Sequence, residues 1–202
     1  MILVTGGTGL VGAHLLLHLV EQGENVRALC RTKSSIEKTE NLFSLYHKPQ
    51  KKKKIEWIEG DILDITPLEI AFQNIEFVYH CAALISFDPK YEDAIRKTNI
   101  EGTANIVNFC LAFGIKKMLF VSSIAALGDP NAVETVISET TEWNPEKPHS
   151  DYAISKYGAE MEVWRGQQEG LNVIIVNPGV ILGPGFPEQG SGALFSAVAK
   201  GL

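Results

Sequence analysis

Tyr152 and Lys156 lie four residues apart in the run Tyr-Ala-Ile-Ser-Lys, a spacing that stacks a phenol and an ammonium on one face of a helix. A free tyrosine titrates near pH ~10 and is a poor base at neutrality. A positive charge beside it favours the phenolate and creates a group that can trade a proton with a carbonyl or alcohol oxygen. The same spacing occurs in amphipathic helices whose lysine is merely solvated. The pair therefore takes its meaning from what surrounds it.

A second chemical feature lies at the start of the chain. Residues 5–12 read Thr-Gly-Gly-Thr-Gly-Leu-Val-Gly. Gly7, Gly9 and Gly12 satisfy the G-x-G-x-x-G pattern between an apolar run and a helical one, the context that a dinucleotide fingerprint requires. A side chain at these positions would hold the backbone away from a pyrophosphate or obstruct helix–strand packing, whereas exposed N–H groups at a helix start attract the anion. Ala13 and His14 follow Gly12, which excludes a kinase-type phosphate loop with its Lys and Ser/Thr. The next strand ends Leu29-Cys30-Arg31-Thr32-Lys33. It lacks the acid that would bind a ribose 2′-hydroxyl and mark NAD. Arg31, supported by Lys33, suits a 2′-phosphate instead, which favours NADP over NAD.

The elements that must position these residues follow from short apolar runs alternating with helical patterns. Strands are expected at 1–4, 25–30, 55–58, 75–81, 117–122 and 172–177, and helices at 10–22, 67–73, 91–113 and 151–169. Strands apolar on both faces and separated by helices define an α/β fold, a Rossmann-like, doubly wound parallel sheet with right-handed crossovers. Residues 129–150, rich in Pro, Thr and Glu, read as a long surface loop of the kind that usually serves function. Residues 190–202 read as the opening of a further helix, with the expectation of a longer protein. The domain organisation expected is a dinucleotide-binding domain over 1–185 and the start of a substrate-binding region over 186–202.

Bulk properties narrow the function classes. At 202 residues the chain fits one domain with a sizeable core. A formal charge of −6 argues against a nucleic-acid surface, which needs concentrated positive charge. Lys51, Lys52, Lys53 and Lys54 form a basic run that reads as a solvated connector. Cys30, Cys81 and Cys110 are widely spaced in apolar contexts. Reduced thiols in a cytoplasmic protein, with no secretion signal and no membrane span, are the expected state. His14 and His18 sit four apart on the first helix without an accompanying acid, and no metal site is expected.

Taken together, the blocks TGGTGLVG, GDILD, VSSIAALG and YAISK, followed by NPGVILGPG at 177–185, resemble the extended short-chain dehydrogenase/reductases. Within that family the chain is most similar to the NAD(P)-dependent epimerase/dehydratase and dihydroflavonol-reductase-like branch. The resemblance spans essentially the whole chain. It implies that Gly6, Gly7, Thr8, Gly9, Leu10, Val11 and Gly12 cradle the cofactor, that Asp61 and Ile62 lie by the adenine, and that Ala82, Ala83 and Leu84 run along the dinucleotide. Ser123 corresponds to the family's catalytic serine, with Ser122 its neighbour, and its hydroxyl would donate to a substrate oxygen. Tyr152 would be the general acid/base, and Lys156 would hold the nicotinamide ribose and depress the tyrosine pKa. Pro178 and Val180 would approach the nicotinamide, and Asn99 falls where the family often places an asparagine. Leu127 departs from the aromatic residue that relatives often carry. The resemblance also implies a homodimer through helices 91–113 and 151–169, and a smaller substrate domain largely absent from this chain.

The expected function is hydride transfer between NADP(H), with NAD as the alternative, and a small carbonyl or secondary-alcohol substrate. An NAD-dependent sugar-nucleotide epimerase or dehydratase is the rival enzyme, and a non-catalytic dinucleotide-binding regulator is the rival outside enzymology.

Overall fold

The computed structural model describes residues 1–86, 88–130, 136–187, 190 and 192–201. Residues 131–135 of the expected long loop, and residues 191 and 202 of the expected last helix, lie outside the described residues. Six strands form one parallel sheet: β1 (Ile2–Thr5), β2 (Val26–Cys30), β3 (Ile55–Glu59), β4 (Phe77–His80), β5 (Lys117–Val121) and β6 (Val173–Val176). Their order is β3-β2-β1-β4-β5-β6, so the winding reverses between β1 and β4. In open α/β sheets the crevice outside the strand ends at such a reversal is where ligands bind.

Parallel neighbours need long crossovers, and helices supply them. These are α1 (Leu10–Glu21), α2 (Ile36–Leu45), α3 (Ile65–Ala71), α4 (Glu92–Arg96), α5 (Gly102–Ala112), α6 (Asp151–Gln168) and, after β6, α7 (Gly192–Ala199). Alternation along β1 divides the core between two layers, as a period of two requires. Ile2 and Val4 pack with Leu16, Leu17 and Val20 of α1 and Phe43 of α2. Leu3 packs on the other face with Leu68 of α3, Ile106 and Val107 of α5, and Val163 of α6. Burying a side chain such as Phe43 is worth roughly 1.5–3 kcal/mol. That anchor holds α2 beside the glycine loop, where the Thr39 hydroxyl donates to the Gly7 carbonyl at 2.8 Å.

Three elements differ from the sequence reading. Helix α2 lies where the sequence pattern gives no element. β4 starts at Phe77 because the Ile75 amide closes the end of α3 on the Phe72 carbonyl, and the Glu76 amide pairs with Met1. The helix expected over 91–113 is broken by a π-helical turn, Lys97–Glu101, between α4 and α5. Among the described residues, no helix is long and apolar enough to cross a membrane.

Candidate active site

The glycine loop is built by close approach of backbone. Gly6 adopts φ +69°, and a Cβ there would lie 2.6 Å from the Ala82 nitrogen. A Cβ on Gly12 would collide with the Gly6 carbonyl oxygen. Only glycine satisfies both demands. Gly9 is the N-cap of α1 and donates its N–H to the Gly6 carbonyl at 3.0 Å. Gly6, Thr8 and Gly9 line a cleft of about 680 Å³ at the start of α1. The helix start offers unpaired N–H groups and a partial positive charge to an anion there. Gly7 and Gly12 shape the loop from inside, and Leu10 packs with Ala13, Leu42 and Phe186. These three residues and Val11 are not part of the cleft lining, so the expected cradle is split between lining and support.

One end of the cleft is polar and open. Arg31, Thr32, Ser34, Ser35 and Lys38 line it after β2, and Asp61 and Ile62 line it after β3. Asp61 Oδ1 accepts from the Leu63 amide at 3.0 Å, which fixes the turn after β3. Lys38, carried by α2, takes the place expected for Lys33, which is exposed in the turn Lys33–Ser35 and does not line the cleft. Lys38, Ser34 and Ser35 escaped the sequence reading because α2 itself did. Its alternating charges present only a narrow apolar face, with Thr39, Leu42 and Phe43 buried.

The other end is apolar and mostly half-buried. Cys81, Ala82, Ala83, Leu84 and Thr98 line it. Asn99, in the π-helical turn, holds Leu84 by both backbone groups, accepting from its amide at 2.7 Å and donating to its carbonyl at 3.0 Å. The Asn99 amide also reaches Ser155 on α6 at 2.9 Å. Asn99 thus fixes the backbone that follows β4. Beneath it, His80 is fully buried between the Thr5 and Thr103 hydroxyls at 2.6 and 3.0 Å. Burial pushes its pKa down to about 3, with the charge of Lys156 adding to the effect.

Next to this end, β5 and α6 bring the expected catalytic residues together. Ser150 caps α6 by accepting from the Ala153 amide at 3.2 Å, which sets Tyr152 in the first turn. Ser123, just past β5, accepts from the Ala125 amide at 3.1 Å, and its side chain lies close enough to Tyr152 to favour the phenolate. Ser122 turns instead to Glu160, donating to Oε2 at 2.6 Å. Ser123, the residue singled out in the sequence, is therefore the one that meets the phenol.

Lys156 is 2% exposed, donates to the Val121 carbonyl at 2.9 Å and lies 4.5 Å above the centre of the Phe120 ring. Burial pushes its pKa down to about 8, against the opposing effects of Glu160 and Cys81. The Tyr152 pKa is raised, because burial outweighs the opposing effect of Ser123. This corrects the expectation of a phenol depressed by Lys156, whose ammonium is committed to the Val121 carbonyl. Cys81 links the two groups of residues. It lines the cleft, and its thiol is pushed up to about 12 by burial while Lys156 pulls the other way.

After β6, the Asn177 amide donates to the Ser123 carbonyl at 3.1 Å and to Glu160 at 2.9 Å. The Pro178 carbonyl accepts from the Ile124 amide at 3.1 Å. Val180 is 77% exposed. Neither Pro178 nor Val180 lines the cleft. Glu160 and Asn177 went unnoticed in the sequence, although an acid four residues beyond Lys156 was a readable signal for Glu160.

A parallel sheet that reverses beside a glycine loop on a helix start has the layout of dinucleotide-binding α/β folds. The model of the NAD dependent epimerase/dehydratase family matches residues 2–202, and the chain belongs to that family, whose members are NAD(P)-dependent extended short-chain dehydrogenases/reductases. A putative dihydroflavonol 4-reductase of Synechocystis sp. is 36% identical over 181 residues, covering 90% of this chain and 49% of that protein. A UDP-glucose 4-epimerase of Vibrio cholerae is 30% identical over 206 residues, covering 100% of this chain and 57% of that protein. Among solved structures, a short-chain dehydrogenase/reductase superfamily protein of Agrobacterium tumefaciens with bound NAD superposes with TM-score 0.71 at 26% identity, covering 88% of this chain and 48% of that one. The chain spans about half the length of the curated relatives it matches.

Proposed function

We propose that the chain carries the cofactor site and proton-transfer group of an NADP(H)-dependent oxidoreductase acting on a carbonyl or secondary alcohol. The observation that carries this reading is Ser123 facing Tyr152, with Lys156 buried one turn further along α6, next to a dinucleotide-sized cleft. The fit of the cofactor rests on the close backbone packing of the loop, where a Cβ on Gly6 would collide with Ala82 and one on Gly12 with Gly6. Gly6, Thr8 and Gly9 would hold the pyrophosphate, Arg31 and Lys38 the 2′-phosphate, and Asp61 and Ile62 would flank the adenine. Ala82, Ala83 and Leu84 would run along the dinucleotide, and Lys156 would reach the nicotinamide ribose. Bound there, the dinucleotide supplies or accepts the hydride.

The protein's own part is proton handling. Ser123 and Tyr152 converge to donate hydrogen bonds to one substrate oxygen. A phenol pKa above its ordinary value keeps Tyr152 protonated at neutral pH, ready to act as the acid in reduction. In the oxidative direction it must first lose that proton, which the Ser123 side chain favours. Asn99 holds the cleft wall while this happens. A cytoplasmic location, in keeping with the free thiols Cys30, Cys81 and Cys110, and a homodimer belong to the same proposal.

The test is to titrate the protein with NADPH and NADH, then follow loss of reduced-nicotinamide absorbance with a panel of aldehydes and ketones. Turnover that needs NADPH supports the reading, and binding without turnover on any carbonyl counts against it in favour of a regulator. The similarity to the Vibrio cholerae epimerase supports a second reading, a sugar-nucleotide epimerase. Purification with tightly held NAD, and interconversion of a UDP-hexose without net change in the cofactor, would favour it.

A further inference from the structure

Glu160 has a role that neither the glycine loop nor the Ser-Tyr-Lys group explains. It lies on α6 one turn beyond Lys156 and is 8% exposed. Its Oε2 accepts from Ser122 at 2.6 Å and from Asn177 at 2.9 Å, and its Oε1 accepts from Trp164 at 3.4 Å. All three donors are neutral. A buried carboxylate is costly without a cation in its field, and the cation here is Lys156, which it stabilises against burial.

The titratable groups facing Lys156 are few. From α6 comes Glu160, with Tyr152 one turn back along the same helix, and from the end of β4 come His80 and Cys81. β5 contributes the Phe120 ring and the Val121 carbonyl, neither of which titrates. At neutral pH His80, the Cys81 thiol and the Tyr152 phenol are uncharged, since burial lowers the first pKa and raises the other two. Of these facing groups only Glu160 then bears a negative charge.

We propose that Glu160 is the fixed counter-charge of Lys156 and, through Ser122 and Asn177, the tie that holds the ends of β5 and β6 against α6. Ser122 immediately precedes Ser123, and Asn177 also grips the Ser123 carbonyl. One carboxylate thus positions both the ammonium and the serine hydroxyl. Glu160 is a positioning residue, and its importance rests on the proposed part of Lys156 and Ser123 in proton transfer.

The experiment reads Lys156 directly, by NMR titration of its side-chain Cε and Nζ signals in the free protein, assigned by their loss in Lys156→Met. Lys156 is expected to titrate near about 8 in the unmodified protein, about one unit lower in Glu160→Gln, and unchanged in Trp164→Phe, which removes only a neutral donor. Glu160→Asp keeps the charge and shortens the reach, so the Lys156 midpoint there should fall between those of the unmodified protein and Glu160→Gln, a readout that serves even where Glu160→Gln fails to fold. A Lys156 midpoint unmoved by Glu160→Gln, or by Glu160→Asp where the former does not fold, overturns the proposal. No turnover enters the measurement. Intact coupling in a protein without reductase activity would reject the proposed function and leave this assignment standing.

Discussion

The two ends of the cleft use charge in opposite ways. At the open end Arg31 and Lys38 stand in solvent, with serines around them and no acid from β2 to offset them. Their positive charge is surplus, available to an incoming anion. Beside the other end Lys156 is enclosed, bonded to the Val121 carbonyl and balanced by Glu160, whose oxygens are held by Ser122 and Asn177. Surplus charge selects what binds. Balanced charge in a dry setting sets proton affinities, because interactions there are screened far less than at the surface. Selectivity is therefore expected to change readily by substitution at the first end, and chemistry at the second.

The sharpest way to break the contrast is Tyr152→Phe. Removing a general acid should lower turnover by about 10²–10⁴-fold while the Kd for NADPH, read by nicotinamide fluorescence, stays nearly constant. A comparable loss of binding would mean that the two ends are not separable. Next in size is the double variant Arg31→Ala with Lys38→Ala. It should weaken NADPH by about 10–100-fold, the scale of one or two charge-assisted hydrogen bonds, and leave NADH unaffected. Equal weakening of both cofactors would remove the case for a 2′-phosphate site.

The second end should also declare itself in stability against pH. The folded pKa of His80 is about 3 against an ordinary value of 6.5, so between those values the unfolded chain binds the extra proton. Stability must then fall as pH drops from about 6.5 toward 3, by on the order of a few kcal/mol. His80→Gln should flatten that part of a denaturant-midpoint profile. Lys156 gives the same sign in another window. Its folded pKa is about 8 against 10.5, so stability should rise with pH across that interval and lose the rise in Lys156→Met. The smallest effect is expected at Lys53, exposed in the turn Pro49–Lys54. Lys53→Ala should change stability by less than about 0.5 kcal/mol and leave both cofactor affinities alone.

Those differences bear on what a reader of residues can see. The strands were legible because β1 and β2 are buried on both faces and apolar except at Thr5 and Arg27, as helices on both sides of a sheet demand. The glycine loop was legible because its constraint is local: residues 5–12 make their own turn. Ser123, Tyr152 and Lys156 were legible through order and spacing along β5 and α6. Helix α2 was hidden because Phe43 and Leu42 acquire their apolar neighbours only in the fold. With it went Lys38. The π-helical turn was hidden for a similar reason, since Asn99 bonds Leu84 and Ser155 across the structure. The direction of the Tyr152 pKa was misread because spacing on a helix says nothing about burial, and burial dominates there.

β1 lies at the centre of the sheet, hydrogen-bonded to β2 on one side and to β4 on the other. Its second neighbour is paired from Ile2↔Phe77 to Thr5↔His80, 75 residues further along. A ribosome adding about 5–20 residues per second takes on the order of 4–15 s to make that stretch. Throughout that interval the strand that carries the glycine loop has an open apolar edge and half of its backbone partners missing. The strand that carries the glycine loop therefore cannot complete its pairing until His80 has been made.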